Sequence, residues 1–164
     1  MAKKSPRNNR DTFWLECAAK KATQGMRRGW GGPFGAAIVR KDRLVAIGCN
    51  TVLKSNDPTC HAEINAIRLA SRKLKIRVFK NCTIYSTTEP CPMCFSAIHW
   101  ARFRTLVFAT RIGDVKKLGF NEMPISNHQL RRWGKSRLII KKIESSSCRT
   151  LLENWEKLKR KQTY

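Results

Sequence analysis

The chain has 164 residues, 41% of them hydrophobic, and carries 34 Lys and Arg against 11 Asp and Glu, a formal charge of +23 with a pI near 10.5. That length suits one domain, able to bury roughly two thirds of its unfolded surface without disulfide staples. No stretch approaches the roughly 20 apolar residues of a membrane span, and seven Cys with no apolar leader point to a reducing cytoplasm and against a secreted disulfide scaffold.

Residues 1–10 hold four basic residues, Pro6 and two Asn, and read as a disordered basic arm before a single domain over 11–164. Asp11 is placed to cap a helix through about Met26, with Trp14, Cys17, Ala18 and Ala22 as its apolar stripe and Gly25, Gly29, Gly31 and Gly32 closing it. Phe34 to Val39 and Leu44 to Gly48, joined by Arg40 to Arg43, read as a hairpin. A polar loop, Cys49 to Thr59, leads to a helix from 61 to about 73 that buries Ile64, Ala66, Ile67 and Ala70. A strand, Cys82 to Ser86, is followed by a helix over 92–101 and a strand, Thr105 to Ala109. A helix between two strands makes them parallel neighbours. The tail reads more weakly, as a helix, a strand over Arg137 to Ile143 and a last helix from about Thr150 to Lys159. The expected fold is α/β, a three-layer α/β/α arrangement on a mixed sheet of about five strands.

Two short stretches carry the chemistry: His61-Ala62-Glu63 and Pro90-Cys91-Pro92-Met93-Cys94. Cys91 and Cys94, three apart at a helix start, present both thiols on one face, and Pro92 suits the first turn, where its missing N–H had no partner. One His and two Cys are three of the four ligands that zinc takes, and a catalytic zinc keeps its fourth position for water. Glu63 is left over as a carboxylate able to move protons. A closed structural site is the alternative. It needs a fourth protein ligand; the chain has no second C-x-x-C pair, and Cys60, next to His61, points elsewhere at a helix start.

His-x-Glu followed thirty residues on by Pro-Cys-x-x-Cys matches the zinc deaminase signature. The chain resembles the cytidine deaminase superfamily and, within it, the bacterial guanine deaminases. The closer likeness rests on Gly31 to Ala36, on Ser55 to Thr59, on Glu89 to Cys94, on Ala97 to Arg102, on Gly119-Phe120 and on the terminal Tyr164. The tRNA adenosine deaminases share the zinc motif, but a Pro-Val-Gly-Ala type stretch stands there where this chain has Pro33-Phe34-Gly35-Ala36. The resemblance implies one Zn2+ on His61, Cys91 and Cys94, with Glu63 as proton shuttle. It implies a base held by Asn50, a pocket lined by Phe34 and Trp100, and a C-terminal segment, about 145–164, exchanged between subunits of a homodimer so that Tyr164 closes the partner's site. The family reads guanine with an aspartate two residues after its Gly-Phe pair. Asn121-Glu122 stands here instead, with Asp114 as a second acidic candidate.

Simpler roles exist for several of these residues. Trp100 and Phe34 suit a core, Asn50 a turn, Asp114 a helix cap and Tyr164 a frayed end. His99 and His128 lack ligand spacing and read as structural. The implied reaction is hydrolytic deamination of a small-molecule purine base, guanine giving xanthine and ammonia, with a polynucleotide substrate such as tRNA adenosine as the alternative. The basic residues are spread along the whole chain with few aromatics among them, so solubility explains the charge as well as a nucleic-acid groove does.

Overall fold

The computed structural model describes residues 6–159 and 161–163. Helix α1 (Pro6–Arg27) precedes an antiparallel hairpin, β1 (Gly35–Arg40) and β2 (Arg43–Cys49), then α2 (Val52–Ser55) and α3 (Ala62–Leu74). Two crossover units follow, β3 (Cys82–Thr88) to α4 (Pro92–Trp100) to β4 (Thr105–Thr110), and onward through α5 (Ile112–Lys116) and α6 (Asn127–Trp133) to β5 (Ile139–Lys142). Helix α7 (Ser146–Glu156) closes the chain. The five strands lie in the order β2-β1-β3-β4-β5; β3, β4 and β5 are parallel, and β1 runs antiparallel to both its neighbours.

Strand alternation divides the core in two, because successive side chains leave opposite faces of the sheet. Ala36, Ile38, Ile84, Leu106 and Phe108 pack beneath Ala62, Ala66 and Ala70 of α3 and Phe95 and Ile98 of α4. Ala37, Val39, Tyr85, Val107 and Ala109 pack on the other face against Leu15, Ala18 and Ala22 of α1 and Leu151, Leu152 and Trp155 of α7. The expected three layers are present. Gly48 sets how closely α3 sits on the sheet: a Cβ there would lie 2.7 Å from the Ala62 carbonyl oxygen, so the first turn of α3 rests on bare β2 backbone.

The N-terminal expectation needs correction. Residues 6–10 belong to α1 and not to a disordered arm, and residues 1–5 lie outside the described ones. Asp11 is no cap. It is buried within the helix, accepts a 2.8 Å hydrogen bond from the Tyr85 hydroxyl and faces Lys141 Nζ at 3.9 Å. A carboxylate with two long-range partners ties α1 to the sheet, information that no local pattern carries. The loop after β2 contains the single turn α2, and α7 starts at Ser146 because the Ser145 hydroxyl accepts from the Cys148 N–H. Helix α7 packs on α1 and β4 of its own chain.

Candidate metal centre

His61 and Cys91 are both N-cap residues in extended conformation, at the heads of α3 and α4, and Pro92 occupies the first turn of α4. The two helices pack side by side on one face of the sheet, so their N-termini meet. Cys91 Sγ and Cys94 Sγ stand 3.6 and 3.5 Å from His61 Nδ1, and all three donor atoms lie within 4.8 Å of one another. A tetrahedral zinc with Zn–S of about 2.3 Å and Zn–N of about 2.05 Å requires N···S separations of about 3.6 Å. The spacing therefore fits a ligand set around one ion. Among the described residues no other such cluster of three His, Cys, Asp or Glu occurs.

Electrostatics in the metal-free cluster favour anionic sulfur. The Cys94 thiol and the His61 ring hydrogen-bond to Cys91, which outweighs burial and lowers its pKa to about 4; Cys94, donor in that pair and buried, is pushed the other way. Burial pulls the His61 imidazole down, but the hydrogen bond and charge of Cys91, with Glu63 and Glu122 nearby, reverse the net direction and raise it.

Glu63, in the first turn of α3, is buried, and desolvation is the main cause of its raised pKa, reinforced by Cys91. Ser86 Oγ donates to its Oε1 at 2.9 Å. Ser86 lies on β3, and the spacing of the motifs gives no sign of it; among Thr83, Thr87 and Thr88 of the same strand no local signal singles it out. Two further anchors were also missed. Asn65 Nδ2 donates to the carbonyls of Cys49 and Cys60 and to Thr51 Oγ1, closing the loop that delivers His61. Asn127 N–H donates to Glu89 Oε1 and its Nδ2 to the Pro90 carbonyl, fixing the segment that delivers Cys91.

The structure treats the other sequence candidates unequally. Glu122 is half-buried, and desolvation first, then the charges of Cys91 and Glu63, raise its pKa to about 7 against the opposing pull of His61. Asn50 is buried with Oδ1 accepting from the Val52 N–H and Nδ2 without a partner. It fits only because residue 31 is glycine: a Cβ there would lie 2.0 Å from its Oδ1. Phe34 is half-buried with its ring edge-on to Phe120 at 4.9 Å. Asp114 is exposed and accepts from the Arg111 N–H, capping α5, so its simpler role is the one observed. Trp100 is neither core nor beside the ligands of its own chain: it is 76% exposed at the last residue of α4, while Cys91 caps the first. Cys60 donates to Asp57 Oδ2 and does not join the ligand cluster. His99 Nδ1 pairs with Ser136 Oγ at 2.9 Å. Tyr164 lies outside the described residues.

A closely spaced His-Cys-Cys set at two helix N-termini, with a buried carboxyl beside it, defines a zinc-dependent aminohydrolase. The chain belongs to the family described as the cytidine and deoxycytidylate deaminase zinc-binding region, whose model matches residues 8–110. The guanine deaminase of Bacillus subtilis is 44% identical over 114 residues, 70% of this chain and 72% of that protein. A tRNA-specific adenosine deaminase of Buchnera aphidicola is 37% identical over 155 residues, 94% of this chain and 99% of that one. The solved structure of a guanine deaminase from Nitrosomonas europaea superposes with a TM-score of 0.76 at 28% identity, covering 96% of this chain and 88% of its own.

Proposed function

We propose that the substrate is a free purine base and that the reaction converts guanine and water to xanthine and ammonia. The observation that carries this reading is Glu122. Guanine, unlike adenine, presents an exocyclic amino donor beside a ring N–H, and such an edge is recognised by an acceptor pair like a carboxylate. Glu122 places one in the field of Glu63 and the ligand set. The free Nδ2 of Asn50 supplies a complementary donor for a ring nitrogen or carbonyl, and Phe34 with Phe120 supplies apolar wall.

Zinc held by His61, Cys91 and Cys94 would supply a Lewis acid that lowers the pKa of a bound water toward neutrality. Glu63 takes one proton from the attacking water and passes it to a ring nitrogen so that the amino-bearing carbon becomes electrophilic, then takes the second from the added hydroxyl and delivers it to the amine as the C–N bond breaks. Its raised pKa suits that shuttle, since burial keeps the proton within reach. Ser86 holds the carboxyl in place for both transfers. The exposed Trp100 and Trp133 support a homodimer with a second copy over this face. Thr163 approaches Gly119 of its own chain, three residues before Glu122.

A second reading, deamination of adenosine in tRNA, is favoured by the near full-length match to a tRNA-specific enzyme. Glu122→Ala separates the two. For a guanine enzyme kcat/KM on guanine falls about 100-fold, the cost of losing a charged hydrogen-bonding partner for a base edge, with zinc content unchanged. A variant that keeps full activity on guanine removes the main support for the base assignment.

A further inference from the structure

The parallel strands give the molecule two poles. Cys91 and Glu89 follow the C-terminal end of β3, as Arg111 follows that of β4, and this pole holds the metal ligands. The loops that enter β3, β4 and β5 stand at the other end, a strand length of about 20 Å away. Those three loops, 75–81, 101–104 and 134–138, hold Lys75, Arg77, Lys80, Arg102, Arg104, Lys135 and Arg137, and no Asp or Glu. All seven cations are exposed, and none has an ion-pair partner among the described residues. The nearby hairpin turn adds Arg40, Lys41 and Arg43, while its one acid, Asp42, is already paired with Arg10 at 2.5 Å. The metal pole carries acids as well, Asp57, Glu63, Glu89, Asp114 and Glu122, beside Arg111, Lys116 and Lys117. Three loops far apart in the sequence thus bring seven cations without ion-pair partners among the described residues, and no acid, to one end of the sheet.

Five of these cations, Lys80, Arg102, Arg104, Lys135 and Arg137, line one open cleft of about 490 Å³. Adjacent strands stand about 4.8 Å apart, so the three loops form a short row about 10 Å long before side-chain reach is added. Guanidinium and ammonium groups in such a row, with no carboxylate to neutralise them, match the repeating phosphates of a single nucleic-acid strand. A small anion would need fewer groups held in a closed pocket.

We propose that this pole docks the phosphate backbone of single-stranded nucleic acid, at a site separate from the catalytic one and whatever base is deaminated there. The cleft offers backbone contacts and no base-reading element, so oligo-uridine and oligo-thymidine 15-mers bind alike. Neutralising about five phosphates gives a slope of log affinity against log salt of about −3.5, a loss of about 100-fold between 50 and 200 mM salt.

Fluorescence anisotropy of labelled 15-mers with the full-length, zinc-loaded chain tests this. Arg102→Glu/Arg104→Glu/Arg137→Glu weakens binding at least tenfold at 100 mM salt, while Lys20→Glu/Arg27→Glu/Lys157→Glu, with the same change in net charge, weakens it less than threefold. The Gln triple at positions 102, 104 and 137 serves if the Glu triple misfolds by circular dichroism, and it flattens the slope by about 2. Equal losses in the two charge-matched triples would overturn the proposal, since diffuse charge would then suffice. So would an absence of binding at 50 mM salt, including absence because a second copy of the chain covers the cleft.

Discussion

Glu63 and Ser86 illustrate how far single residues can be read before a structure exists. The role proposed for Glu63 follows from its position two residues after a ligand, where a buried carboxylate stands beside a three-ligand site. Its partner Ser86 became visible only when β3 was laid beside α3, since residues 23 apart meet through tertiary packing. Glu63→Gln should retain zinc and lose 100- to 10,000-fold in kcat, about the worth of a positioned acid–base group. Ser86→Ala should retain zinc and lose only about tenfold in kcat, because the carboxyl remains but is less well held. Steady-state kinetics with metal content measured on the same preparations checks both. Cys91→Ala, in contrast, should lose the metal. Trp100 shows the opposite limit: an apolar residue on an apolar helix looks like core, yet α4 turns that position to solvent.

At the scale of elements, the helix starts were legible and the anchors beneath them were not. The Pro after Cys91 and the apolar periodicity after His61 mark both helices, and the crossover rule makes β3 and β4 parallel. The tail was less legible because α5, α6 and β5 have five, seven and four residues, too few for a period to declare itself. What positions the ligands is a set of Asn side chains on backbone. Asn65→Ala would remove the donor shared by three acceptors around the loop before His61. It should cost about 1–3 kcal/mol in urea unfolding, the penalty of unpaired polar groups, and weaken zinc retention against a chelator. Unchanged retention would show that the loop does not depend on it.

For the whole molecule, length and composition set the expectation of one domain without disulfide staples, and the seven Cys are free in the structure. No helix among the described residues is long and apolar enough to cross a membrane. Composition could not tell where the charge lies, because the three basic loops come from sites far apart in the chain and converge only through the sheet order. The zinc site likewise defines the reaction as a deamination, while the proposed choice of base rests on outer residues, Glu122 and Asn50, which lie on other loops. Ammonia release by the zinc-loaded chain, measured side by side on guanine, adenine, cytosine and a tRNA substrate, tests that choice most directly. Release from guanine, with none from adenine, cytosine or tRNA, is the predicted result; release from tRNA alone would contradict it.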